Sequence, residues 1–161
     1  MLGEIEFSVW QIPSYIRLRS TASLTGKVIM SATEVDTIVI GAGQAGIATS
    51  EHLSANGIEH VVFERDRIAE SWRTRRWDSL VANGPAWHDR FPALDFKGHS
   101  GEAFVPKDVV VSYFEDYVTH IKAPVKCGVD VTHVTRNSAC GGFDVTTTTG
   151  PYRARQIVTA T

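Results

Sequence analysis

With 161 residues, 43% of them apolar and 21% charged, the chain has the composition of one globular domain and enough apolar side chains to build a core. Sixteen basic against 18 acidic side chains leave a formal net charge of −2 without any run of five like charges, which excludes a nucleic-acid-binding arm. No stretch of 18 consecutive apolar residues occurs, which excludes a membrane-spanning helix.

Residues 1–33 are predicted to be an irregular extension, because they hold neither a period of 2 nor one of 3.6. Glu4 and Glu6 stand where a signal peptide would be basic, so no secretory leader is expected. Met30 is a natural start for the domain that follows, and residues 1–29 are read as an upstream extension that need not be native. A genuine N-terminal strand or tail is the alternative.

The next segment is the most informative. The β-branched run Thr37 to Ile40 has no polar alternation and reads as a buried parallel strand. It runs into Gly41, Ala42, Gly43, Gln44, Ala45 and Gly46, a G-x-G-x-x-G turn opening a helix predicted over 44–56. Gly41 permits the tight turn, Gly43 lets backbone approach a pyrophosphate, and Gly46 lets helix and strand pack closely. The helix directs its unsatisfied N–H groups and positive dipole end at the phosphates. Gly57 is placed for a left-handed helix cap. His60 to Phe63 form a second parallel strand, and Glu64, 18 residues beyond Gly46, falls where a carboxylate accepts ribose hydroxyls and repels a 2′-phosphate. The ordered combination predicts a site for the ADP half of FAD or NAD rather than NADP. Gly46 is followed by Ile47 and Ala48, which excludes a triphosphate P-loop.

Further along, Arg73, Arg75 and Arg76 lie between Trp72 and Trp77 and read either as a solvated face or as a phosphate contact. Residues 106–122 are predicted to form a helix that opens at Pro106, buries a stripe of Val110, Tyr113, Phe114, Tyr117 and Ile121, and stops before Pro124. The stripe reads as core and carries no catalytic role. The period then changes, and Val129–Val134, Phe143–Thr147 and Tyr152–Arg155 read as three short strands, followed by a parallel strand over Gln156–Thr159. Cys127 and Cys140 make no C-x-x-C motif, and the six histidines show no metal-ligand spacing. No metal and a reducing, cytoplasmic setting are predicted.

Beyond Glu64, the segment Arg65-Asp66-Arg67-Ile68-Ala69-Glu70-Ser71-Trp72-Arg73, with Arg76-Trp77-Asp78-Ser79-Leu80, resembles the N-terminal part of flavin-containing monooxygenases. The likeness runs from about Asp36 to Thr161 and takes in Phe91-Pro92 and Phe104-Val105-Pro106-Lys107. It implies an α/β, Rossmann-like FAD-binding domain at 34–161, a parallel sheet with a βαβ start carrying an antiparallel three-stranded meander, incomplete and without its NADPH domain. The meander is similar to that of two-dinucleotide flavoproteins, which favours FAD over NAD. The resemblance implies cofactor contacts from Arg65, Trp72, Arg73 and Asp78, backbone contacts to the adenine around Val131, and a close pass of Thr161 by the flavin. Trp72 and Trp77 retain the alternative of simply filling the core.

Related flavoproteins continue an A-T-G segment where this sequence has Ala160-Thr161, and then add a second glycine motif for NADPH. The resemblance therefore implies about the first third of an enzyme. The complete enzyme would use NADPH and O2 to oxygenate a small organic substrate through a C4a-peroxyflavin. The portion here is expected to bind FAD without catalysing the reaction alone, and no catalytic residue is assigned. Two alternatives stay open: part of another two-domain FAD-dependent reductase or oxidase, or a non-catalytic nucleotide-binding domain working with a second polypeptide.

Overall fold

The structure is a computed structural model that describes residues 31–139 and 141–161. The extension read at residues 1–33 lies outside the described residues up to position 30, as does Cys140. In chain order the elements are β1 (Thr33–Ile40), α1 (Gln44–Ala55), β2 (His60–Glu64), α2 (Glu70–Thr74), α3 (Ala86–Asp89) and α4 (Lys107–His120), then β3 (Val125–Cys127), β4 (Val131–Arg136), β5 (Phe143–Thr147) and β6 (Gly150–Thr159). They form a six-stranded sheet of order β3-β2-β1-β6-β5-β4.

The β1-α1-β2 unit follows directly from the residues. β1 and β2 pair in parallel with Ile38 opposite Val61 and Ile40 opposite Phe63. Alternate side chains enter opposite faces: Ile38 and Phe63 join one apolar cluster, whereas Val39 and Val62 join another with Ala42 and Leu53. Burial on both faces explains a continuous apolar run without polar alternation. α1 ends as expected, with Gly57 at φ +67° and its N–H donated to the Ser54 carbonyl at 3.0 Å.

The β1-β2 layer is extended by β3, a three-residue edge strand after Pro124 that runs parallel to β2. On the other side the structure departs from the sequence reading. The strands expected at Tyr152–Arg155 and Gln156–Thr159 are one ten-residue strand, β6. Its first half pairs antiparallel with β5, from Thr147 opposite Gly150 to Phe143 opposite Ala154. Its length also pairs in parallel with β1, from Thr33 opposite Tyr152 to Ile40 opposite Thr159. A strand has two hydrogen-bonding edges, so the meander and the parallel layer can share β6 without a break. Nothing between Arg155 and Gln156 would interrupt it, since neither residue is glycine or proline. The same pairing draws β1 upstream to Thr33, four residues earlier than its apolar run.

Helix α4 forms with Pro106 as its N-terminal flank at φ −61° and Asp108 in its first turn. It buries Val110, Val111, Tyr113, Phe114 and Tyr117. These rings pack with Phe91 and Phe96, whose centroids lie 4.6 Å from Tyr117 and 3.9 Å from Tyr113 respectively. The Tyr113 hydroxyl donates to the Leu94 carbonyl at 2.8 Å and accepts the Phe91 N–H at 2.6 Å, which fastens the 91–96 segment to the helix. Ile121, the last residue of the predicted stripe, packs against this cluster partly buried. No described helix is long and apolar enough to cross a membrane.

Candidate nucleotide-binding site

A cleft of about 460 Å³ opens at the carboxyl ends of β1, β2 and β6, where ligands bind in open α/β sheets. Among its lining residues are Gly41, Gly43, Glu64, Arg65, Val131 and Thr161, six of those singled out from the sequence. β6 delivers Thr161 there because the Ala160 N–H donates to the Ile40 carbonyl at 2.8 Å, holding the strand's exit beside the glycine turn.

The three glycines serve different needs. Gly41 has φ +103°, and a Cβ on it would lie 2.7 Å from the Ala160 carbonyl oxygen, so both conformation and space demand glycine. A Cβ on Gly46 would stand 1.9 Å from the Gly41 carbonyl oxygen. Gly43 is unlike either: its φ is −83°, and a Cβ there would meet no protein atom within 4 Å. The fold places no demand on residue 43 that alanine could not meet. The missing side chain leaves open space at the start of α1, directly on the cleft.

Glu64 holds the opposite wall. Its Oε2 accepts the Ala42 N–H at 2.8 Å and its Oε1 accepts the Asp66 N–H at 2.9 Å. The carboxylate thus ties the glycine turn to the β2-α2 connection. A carboxylate offers about four lone-pair sites, so two remain for ribose hydroxyls while both amides stay bound. Ala42 is fully buried and its carbonyl accepts the Ala69 N–H at 3.2 Å, making it scaffold between the two walls. Gln44 and Ala45 lie in the first turn of α1, and Gln44 lines a separate small hollow with Trp72 and Asp89.

The residues implied by the flavin-monooxygenase resemblance divide. Arg65 lines the cleft and pairs with Asp66 at 3.3 Å. Trp72 does not; it packs edge-on against Phe114 at 6.2 Å, with the Arg76 guanidinium 5.5 Å above its ring. Arg73 is turned to α4, where it pairs with Glu115, and its Nε donates to the Ile68 carbonyl at 3.4 Å. Asp78 lies beyond the cleft and accepts from the buried Lys107 Nζ at 2.7 Å. That hydrogen bond, reinforced by the lysine's charge, holds the Asp78 carboxyl below its ordinary range. Trp77 is 65% exposed, so it does not fill the core. The sequence reading did not assign Ser71, Arg75 and Asp130 to the site, although they line it. The i, i+4 spacing of Ser71 and Arg75 was the available signal, because it puts both on one helix face. The described residues contain no cluster of three or more His, Cys, Asp or Glu able to hold a metal.

Residues 38–161 match the pyridine nucleotide-disulphide oxidoreductase family. The chain belongs to this family. A CzcO-like oxidoreductase of Geobacillus kaustophilus is 36% identical over 128 residues, covering 79% of this chain and 36% of that protein. The indole-3-pyruvate monooxygenase YUCCA1 of Oryza sativa subsp. japonica is 31% identical over 126 residues, 77% of this chain and 31% of its own length. The chain spans about a third of the length of these curated relatives. A flavin-containing monooxygenase from Stenotrophomonas maltophilia superposes with a TM-score of 0.70 at 24% identity, over 80% of this chain and 38% of that one. The oxidoreductase family and the monooxygenase relative agree with the resemblance read beyond Glu64, and the fold shared with the Stenotrophomonas structure is the mixed α/β sheet described above.

Proposed function

We propose that these residues are the FAD-binding portion of a flavin-dependent monooxygenase that, as a complete enzyme, uses NADPH and O2 to oxygenate a small organic substrate. The open Cβ position of Gly43 carries this reading: a glycine that the protein's own packing does not require is explained by a ligand backbone passing there. The donor set fits the group. α1 supplies N–H groups and the positive end of a twelve-residue helix for a pyrophosphate. Glu64 keeps lone pairs free for ribose hydroxyls and opposes a 2′-phosphate, which favours FAD over NADP in this cleft. Backbone at Val129 to Val131 borders the end where an adenine would lie. Bound flavin would supply the redox chemistry and the activation of O2, with the protein providing position and a water-poor surround. The described residues offer donors for a nucleotide but present no second glycine motif for NADPH, so this portion alone is expected to bind without turning over.

Titration of the purified chain with FAD, followed by flavin fluorescence and by tryptophan quenching, tests the reading. Saturable binding of FAD with NADP at least tenfold weaker supports it. Equal affinity for the two, or no binding of either, overturns it. NADPH consumption by the FAD-loaded chain would remove the expectation that it is inactive alone.

A further inference from the structure

Helix α2 carries its basic residues on two faces with different neighbours. Trp72 and Arg73 are committed to α4 through Phe114 and Glu115. Ser71 and Arg75 are on the other face, joined by the Arg75 N–H to the Ser71 carbonyl at 3.1 Å, and both line the cleft. The start of α2 is fastened beside the glycine turn by the Ala69 N–H bond to Ala42. The face bearing Ser71 and Arg75 therefore forms the wall next to Gly41 and Gly43.

The charges in the cleft sharpen this. Four carboxylates line it, Glu64, Asp66, Glu70 and Asp130, against two guanidinium groups, Arg65 and Arg75. An anionic ligand entering so acidic a cleft needs a cation not already neutralised. Arg65 is paired with Asp66, and Glu70 is held by Arg67 at 2.7 Å. Arg75 is the cleft-lining cation left without an ion pair among the described residues.

We propose that Arg75, with the Ser71 hydroxyl beside it, is the phosphate-binding side of this cleft, and that Arg73, the arginine favoured by the sequence resemblance, is a structural brace. The inference rests on the nucleotide reading above but not on the flavin. Guanidinium presents a planar fork of donors suited to phosphate oxygens, and Ser71, which lines the same cleft, adds one hydroxyl donor. Arg73 cannot serve both roles while its guanidinium is held by Glu115.

The test titrates wild type, Arg75→Gln, Arg75→Lys and Arg73→Gln with adenosine, ADP and FAD, and measures the melting temperature of each. Arg75 is exposed, so its variants should melt like the wild type. Arg75→Gln should weaken ADP and FAD by about tenfold or more while adenosine is unchanged, and Arg75→Lys should recover part of the loss. Arg73→Gln should lower the melting temperature and leave the ADP-to-adenosine ratio alone. Equal effects of Arg75→Gln on adenosine and ADP, or no effect on either, overturn the proposal. Binding of ADP but not FAD to wild type would remove the flavin reading and leave the Arg75 assignment standing if the variant still discriminates. If wild type binds none of the three, both readings fall.

Discussion

Replacing Glu64 with alanine should cost folding stability as well as ligand affinity, because the carboxylate works in the fold before any nucleotide arrives. The side chain accepts two backbone N–H groups, from Ala42 at 2.8 Å and Asp66 at 2.9 Å. The two losses are unequal. Ala42 is fully buried, so its N–H would lose its only side-chain acceptor in a place where water reaches it poorly, at a cost of about 1 to 3 kcal/mol. Asp66 is exposed, and water can replace the carboxylate there at little cost. The sum is about 1 to 3 kcal/mol, enough to resolve in urea unfolding, where the midpoint should fall without a change in slope. FAD affinity should fall in addition by about ten- to a hundredfold, the worth of a charge-assisted hydrogen bond to ribose. Glu64→Gln should lie between, because one amide oxygen can replace one carboxylate oxygen while its NH2 faces the other N–H as donor to donor. Unfolding of Glu64→Ala that coincides with wild type would refute the clasp, and unchanged FAD affinity would separately remove Glu64 from the binding site.

The glycines give a paired contrast: Gly43→Ala should melt with wild type yet lose most FAD binding, whereas Gly46→Ala should be strongly destabilised by its 1.9 Å clash, as thermal melts and titrations of the two will show. Tyr113→Phe strands the Phe91 N–H, which lies in the buried aromatic cluster, and should cost about 1 to 3 kcal/mol in urea unfolding. Burial pushes the Tyr117 hydroxyl up to about 12, so ultraviolet titration of the folded protein should show one tyrosine ionising about two units above the usual 10. Because the folded value is the raised one, Tyr117 contributes stability that is intact below about pH 10 and lost as pH rises towards 12; Tyr117→Phe should flatten that alkaline decline. Asp78 has the opposite sign. Its carboxyl is depressed by Lys107, so its contribution is present above about pH 4 and lost as pH falls through the folded value, and Asp78→Asn should remove that part of the acid dependence.

The β1-α1-β2 unit and α4 were legible because short-range signals and long-range packing agree there. Two-faced burial of Ile38 and Val39 leaves an unbroken apolar run, and the stripe through Val110, Tyr113 and Tyr117 has one period and one clear stop at Pro124. β6 was not legible as a single strand. It pairs with β1 from Tyr152 to Thr159, whereas only its first half, as far as Ala154, also pairs with β5, and the sequence changes character at Arg155 because that second neighbour ends there, although the backbone continues. A change of partner looks like a change of element when only local composition is read. β3, a three-residue edge strand, is too short to leave any period at all.

The site divides along the same line. Gly41, Gly43, Gly46 and Glu64 could be placed from the sequence because each is fixed by a strand end or by the first turn of α1, whose register the apolar run determines. The arginines could not. α2 has only five residues and no period that says which way it faces. Its rotation is set by Trp72 docking on Phe114 and Arg73 on Glu115, contacts that span 42 residues of chain. Once Arg73 is held on α4, the i, i+4 geometry of the helix leaves Ser71 and Arg75 the cleft. Those two contacts on α4 therefore decide which arginine faces the cleft, and a resemblance in linear sequence, which matches residue types but not helix rotation, favours the neighbouring arginine.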